Sequence, residues 1–210
     1  MMYYLKLALV LLIIAGVAAG ILAFVNSKTA PIIVANKLAN EIEARKKVME
    51  GLNFSEDFDF VKKEVSIDKP AGKCNPLKIK EEKTGSTFLY YEVVGKDTGK
   101  VLGYTFMSAK SGYSSIVKTM VGVDTTYTIN KIRVISQSET PGLGAKCQDE
   151  DFMAQFDKKN YDAMKVTKSK SEIETAILSI TGATITTRTI TESLNADLKT
   201  LAKVTAKGGE

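Results

Sequence analysis

The feature that most constrains this chain is an uninterrupted apolar run near its start. From Leu7 to Val25 the sequence reads LALVLLIIAGVAAGILAFV, with no charged or strongly polar residue. Wound as a helix rising about 1.5 Å per residue, a run of this length matches the roughly 30 Å hydrocarbon core of a bilayer. A secretory leader is the competing reading, but its apolar stretch is usually about 7–15 residues and ends at a small-residue cleavage site. Phe24, Val25 and Asn26 fit such a site poorly. The run therefore reads as a retained single-pass anchor in membrane lipid, with residues 1–28 assigned to it. Gly16, Ala19, Gly20 and Ala23 fall at helical spacing, where small residues admit a partner helix, although lipid tolerates them equally well.

Beyond the anchor the periodicity changes. Thr29 and Pro31 mark a helix start, proline being tolerated where its missing N–H is not needed. Ile33, Leu38, Ile42 and Met49 then recur at helical intervals as far as Glu50, so residues 29–51 read as a juxtamembrane amphipathic helix that Gly51 ends. Residues 52–210 read as one charged domain. Strands are predicted over Asp57–Ile67, Phe88–Val94, Val101–Met107, Ile116–Val123 and Lys131–Ser136, with GKDTGK at Gly95–Lys100 as a hairpin turn. A turn-rich link is expected at Asp68–Pro76, a short helix at Phe152–Phe156 and a strand-like approach at Ile173–Leu178. From Thr186 onward, Ile190, Leu194, Leu198 and Leu201 step by four, four and three, which predicts a closing helix. Hairpin-linked strands framed by helices imply an α+β fold, a mostly antiparallel sheet flanked by helices.

Absences narrow the chemistry. The chain has no histidine and only two cysteines, Cys74 and Cys147. Iron–sulfur clusters usually need four cysteines, and zinc sites of the His/Cys type need more ligands than these. Histidine-based acid–base catalysis and histidine triads are excluded as well. No catalytic residue and no metal site is expected, so any redox role requires an organic cofactor. The cysteines form either one disulfide or two buried free thiols, and free thiols are preferred. The net charge of +5 is spread over scattered lysines without a basic, aromatic-laced tract, so no nucleic acid is expected as a partner.

Two segments carry potential chemistry. In Ser179–Thr187, SITGATITT, a Gly-bearing turn runs straight into the closing helix. The first amides of a helix lack intrahelical partners, and its dipole favours an anion there. A phosphate at Thr184 would meet those donors, with Thr181, Gly182, Ala183, Thr186 and Thr187 around it. A plain helix cap is the alternative. In Glu139–Gly144, ETPGLG, Pro141 fixes φ while Gly142 and Gly144 permit positive φ, which makes a preformed loop. Its backbone can face a planar ligand, and the Glu139 carboxylate can accept from a ring N–H. An ordinary turn fits the composition too.

These segments, with GYSSIVKTMVGVD at Gly112–Asp124 and the N-terminal anchor, resemble the FMN-binding domain family. More specifically they resemble the G subunit of the Rnf ion-translocating complexes, and the resemblance spans nearly the whole chain. The related C subunit of the sodium-translocating quinone reductase is similar. The resemblance implies FMN esterified through its phosphate to Thr184, with the bond made by a separate flavin transferase outside the cytoplasm. It implies that Glu139, Thr140, Gly142 and Leu143 line the flavin ring, with Gly112 and Tyr113 on a nearby loop. Where the family usually has an aspartate three residues before the first threonine of its T-G-A-T motif, this chain has Leu178.

The resemblance further implies an electron relay inside a complex that couples ferredoxin/NAD electron transfer to Na⁺ or H⁺ translocation. The partners would be the other Rnf membrane subunits, above all the other one with covalent flavin. Two alternatives stay open: a cofactor-free anchored assembly or binding module, and a subunit of an extracellular flavin reductase. The resemblance places the domain outside the cytoplasm. A count of positive charges, with Lys28, Lys37, Arg45, Lys46 and Lys47 following the anchor and Lys6 preceding it, points the other way.

Overall fold

Five neighbouring strands rich in β-branched and aromatic residues build a sheet with two apolar faces. The computed structural model describes residues 2–50, 52, 57–67, 86–161, 164–172 and 175–207. Strands β1 (Phe58–Ile67), β2 (Ser86–Gly95), β3 (Val101–Ser111), β4 (Ile116–Asp124) and β5 (Ile129–Ser136) pair in sequence order. Every pairing is antiparallel. The GKDTGK turn closes β2 onto β3, with the Gly95 amide donating to the Lys100 carbonyl at 3.0 Å. A further two-stranded parallel pair joins β6 (Val166–Thr167) to β7 (Ile177–Leu178). The approach expected over Ile173–Leu178 thus shortens to its last two residues. Ile173, like Cys74 and the expected link at Asp68–Pro76, lies outside the described residues.

Because successive side chains point to opposite faces, odd-numbered Val117, Val121 and Val123 of β4 turn to one face and Met120 to the other. On the first face they join Tyr90, Phe106, Ile132 and Val134 beneath helix α3 (Thr184–Lys207). Ile190, Leu194, Leu198 and Leu201 are the buried stripe of α3, as their spacing predicts. Burying four such side chains contributes on the order of 1.5–3 kcal/mol each. The short helix α2 (Glu150–Met153) and the 3₁₀ turn Ala154–Phe156 supply Phe152 and Phe156 to the same core. Cys147 is buried there as a free thiol, and burial, with the nearby Glu139 carboxylate, pushes its pKa up to about 11.

The second face of the sheet receives the end of the N-terminal helix. Helix α1 runs without a break from Met2 to Met49, with Pro31 inside it. The start expected at Thr29 and Pro31 is therefore not a start. Thr29 Oγ1 donates to the Val25 carbonyl at 3.0 Å and Ser27 Oγ to the Phe24 carbonyl at 2.7 Å. These hydroxyls bond back into the preceding turn, and the helix continues through the proline, as proline is tolerated in apolar helices. The chain divides into two compact units, Met1–Ile42 and Glu43–Glu210. In the first, an apolar window of mean hydropathy 2.9 is fully exposed, and by length and composition it can cross a membrane.

In the second unit, Ala44, Val48 and Met49 are buried with Val93 and Met120. The Arg45 guanidinium lies 3.6 Å from the Tyr91 ring centroid and 5.6 Å from that of Phe60. Gly122 is what lets the helix end come so close. A Cβ there would collide with the Val48 carbonyl oxygen and sit 2.9 Å from Met49 Sδ. Gly122→Ala is therefore expected to destabilise the full chain in detergent by about 1–3 kcal/mol, the usual cost of overpacking. Thermal unfolding checks this, and an unchanged midpoint would contradict the contact.

Candidate functional site

Three segments far apart in sequence meet beside the start of α3. The β3–β4 turn carries Gly112–Ser115 and closes with the Gly112 amide donating to the Ser115 carbonyl at 2.7 Å. The loop after β5 carries Glu139–Gly144, and Gly142 there adopts φ 75°. The turn before α3 carries Thr181–Ala183, where Gly182 adopts φ 76°, a conformation that disfavours any residue with a Cβ. Together they line a cleft of about 400 Å³ whose walls are Tyr113, Glu139, Thr140, Leu143, Gly144, Gly182, Ala183, Thr184, Ile185 and Thr186.

What ties the segments together is a single carboxylate. Glu139 is only 5% exposed, yet its oxygens accept from five donors. These are the amides of Tyr113 (3.2 Å), Ser114 (2.9 Å) and Ser115 (2.9 Å), and the hydroxyls of Ser115 (3.3 Å) and Thr186 (2.7 Å). Burial by itself would raise the pKa of this acid. The Thr186 hydroxyl and the amides of Ser114, Ser115 and Tyr113 outweigh burial and hold it below the ordinary value. Close packing requires two glycines. A Cβ at Gly112 would stand 2.7 Å from Glu139 Oε1, and one at Gly144 would stand 2.8 Å from Oε2 and 2.9 Å from Thr186 Oγ1. Gly144 thus serves by its missing side chain and not by positive φ, contrary to the expectation from the PGLG pattern.

The start of α3 is open to an anion. The helix begins at Thr184, two residues before the expected Thr186, and no acidic residue lies in its first turn. Among the described residues no acceptor meets the amides of Thr184, Ile185 and Thr186, the usual condition of a helix N-terminus. Thr187 closes the turn from within, accepting from the Ile180 amide and donating to the Ala183 carbonyl, both at 3.1 Å. The Thr184 hydroxyl is half-buried and accepts from Ser179 Oγ at 3.0 Å. Leu178, at the place of the family's aspartate, donates its amide to Gln155 Oε1 at 2.7 Å.

Of the residues singled out from sequence, Tyr113, Glu139, Thr140, Leu143, Gly182, Ala183, Thr184 and Thr186 line the cleft. Gly112 touches it only through Glu139, while Thr181 and Gly142 are exposed turn residues outside the lining. The carboxylate of Glu139, expected to accept from a flavin ring, is already committed to protein donors. Ile185, Ser114 and Ser115 escape the sequence reading. The serines act mainly through backbone amides, which any residue supplies, so their identity carries little signal. Ile185, Leu143 and Tyr113 form an exposed apolar rim, 52%, 42% and 72% accessible.

The cleft fits a phosphorylated flavin. Its volume lies within the roughly 300–1,000 Å³ range of cofactor sites. Unpaired helix amides are available there for a phosphate, and the apolar side chains of Tyr113, Leu143 and Ile185 for a planar ring system.

Comparison with known proteins agrees. Residues 112–199 match the FMN-binding domain family. Over 203 residues the chain is 30% identical to the G subunit of the Na(+)-translocating ferredoxin:NAD(+) oxidoreductase complex of Acetobacterium woodii, covering 92% of this chain and 89% of that protein. Over 192 residues it is 27% identical to the G subunit of the ion-translocating oxidoreductase complex of Methanosarcina acetivorans, covering 90% of each. The crystal structure of Shewanella oneidensis NqrC shares the fold, with a TM-score of 0.54 at 17% identity over 75% of this chain and 91% of that one. Spanning such a relative nearly end to end, with its motifs meeting in one cleft, this chain belongs to the G-subunit family of the ion-translocating ferredoxin:NAD(+) oxidoreductase (Rnf) complexes, and it carries their FMN-binding domain behind an N-terminal apolar helix.

Proposed function

We propose that this protein holds FMN covalently, as a phosphoester on Thr184, and relays electrons between redox centres of neighbouring subunits in an Rnf-type complex. The complex would couple ferredoxin/NAD electron transfer to Na⁺ or H⁺ translocation. Bound FMN supplies one- and two-electron redox chemistry, and the protein supplies binding, orientation and electrostatics. The observation that supports the reading best is the position of the Thr184 hydroxyl. It lies at the open start of α3, on the lining of the cleft where the three motifs converge.

Each residue has a role in this reading. The amides of Thr184, Ile185 and Thr186 receive the phosphate. Gly182 keeps side-chain bulk away from it, and Leu143, Tyr113 and Ile185 cover the ring. Thr184 is a tether and neither acid nor base in turnover. A flavin transferase makes the bond; residues 1–28 serve as the anchor, 29–51 as a helical connector whose last turns pack into the following domain, and 52–210 as the extracytoplasmic FMN-binding domain. Full-length protein co-produced with a transferase should give a fluorescent band that survives SDS, and the Thr184 peptide should carry the added mass of FMN. A dark band at unmodified mass would count against the reading.

The outward placement has its own check. With Lys100→Cys on the exposed hairpin and Cys74→Ser removing the other candidate thiol, a membrane-impermeant maleimide should label intact cells. Labelling only after lysis would overturn the placement. The lysines after the anchor do not forbid it, because long domains translocate largely regardless of flanking charge.

A further inference from the structure

The cleft already contains one buried negative charge. The Glu139 carboxylate accepts from the hydroxyl of Thr186, which stands two residues along α3 from Thr184. A phosphate at Thr184 would add a second, and the helix dipole is equivalent to only about half a unit charge. Such a site calls for a cation, and α3 offers one in the right place.

Arg188 lies four residues after Thr184 on the same helix, hence on the same face, with Cβ atoms about 5–6 Å apart. Long helical side chains slant toward the N-terminus and cover the preceding turn. Arg188 is not itself on the lining of the cleft, but a side chain of its length with that slant can reach back to Thr184. Arg188 is exposed and has no ion pair or hydrogen bond among the described residues. Its natural i+4 partner is Glu192, and the Oε2 of that carboxylate instead accepts from Lys110 Nζ of β3 at 2.8 Å. Glu192 makes its ion pair with the strand lysine and none with Arg188, which stands one turn from the open helix end. No acidic residue in the first turn competes for it.

Resting on the reading of Thr184 as the flavin attachment point, we infer that Arg188 is the phosphate-binding cation of this site. It neutralises the FMN phosphate against the Glu139 charge. Guanidinium suits the task because it can donate two parallel hydrogen bonds to phosphate oxygens.

The test uses the full chain in detergent with Thr184→Ala, so that the cleft cannot be filled covalently. Dissociation constants for FMN and for riboflavin are measured by fluorescence quenching. Riboflavin lacks only the phosphate, so the ratio of the two isolates the phosphate contact. FMN should be preferred, and Arg188→Gln should cut that preference roughly five- to twentyfold while riboflavin binding stays constant. Arg188→Lys should keep part of it. An FMN-to-riboflavin ratio unchanged by Arg188→Gln overturns the inference, as does an equal loss for both flavins, which would mark a merely structural role.

A second measurement separates this inference from the reading beneath it. In the Thr184 protein co-produced with a transferase, covalent flavin per chain should fall in Arg188→Gln. Wild-type loading with an unimpaired variant sinks Arg188 alone. No covalent flavin in wild type, and no binding of either flavin to the cleft, sinks both.

Discussion

Thr184→Ala is expected to abolish covalent flavin while leaving the protein folded. The residue contributes one hydroxyl at the first position of α3, and that hydroxyl's partner in the protein is Ser179 Oγ. Ser179 is half-buried, so losing this bond costs no more than about 0.5–1.5 kcal/mol, and the better helix propensity of alanine offsets part of it. A loss of fluorescence in SDS therefore reports on the attachment and not on folding. The effect should be complete, since a phosphoester has no other oxygen at that position. Thr184→Ser keeps the oxygen and should retain flavin. Thr181→Ala, in an exposed turn outside the cleft lining, serves as the control and should load normally. Intact mass and in-gel fluorescence read all three. An equally bright Thr184→Ala band would move the tether elsewhere.

Glu139→Ala should produce the largest loss of stability of any single change near the cleft. The substitution strands three amides and two hydroxyls that now converge on one buried carboxylate. Each hydrogen bond to a charged group is worth about 1.5–3 kcal/mol, but the five are one network and do not add. A total of about 3–5 kcal/mol is expected, comparable with breaking a buried ionic pair. Glu139→Gln keeps the shape but turns a donor toward donors, and should cost about half as much.

The pH dependence follows from the sign of the shift. Donors hold the folded pKa of Glu139 below the ordinary 4.5 despite burial. Its contribution is therefore fully present above the unfolded pKa and is lost as pH falls through the lower folded value. Thermal midpoints of the full chain should converge between wild type and Glu139→Gln on acidification, and stay apart at neutral pH. A gap that does not narrow in acid would contradict an ionised clamp. Flavin loading should fall with both variants, because Tyr113 and Thr186 lose their common support.

Much of the architecture is legible along the chain. Leu7–Val25 reads as a helix long and apolar enough to cross a membrane, and the four-, four-, three-residue steps of Ile190, Leu194, Leu198 and Leu201 read as one buried helical face. GKDTGK between alternating runs reads as a hairpin because its glycines supply the turn, Gly99 at φ 64° among them. The misreading at Pro31 has a physical cause. Proline is a local signal for a helix start, yet an apolar helix can carry one in its interior, and α1 continues through Pro31. The limits of α3 and of the strand at Ile177 shift by a few residues, since ends depend on tertiary hydrogen bonds more than on period.

The site divides along the same line. Composition alone excluded histidine catalysis and cysteine-rich centres. Local residue chemistry pointed only to an anion-friendly helix start near Thr184 and a preformed ETPGLG loop, and it is the family resemblance that implies Thr184 as the tether. Those are properties of residue identity, readable one position at a time. The tertiary structure decided that Glu139 faces inward as a clamp, that Gly144 and Gly112 are needed for room, and that Glu192 pairs with Lys110 of β3. Each of these depends on which atoms of distant segments come within about 3 Å of one another. Backbone amides do much of that work, and an amide looks the same in every sequence.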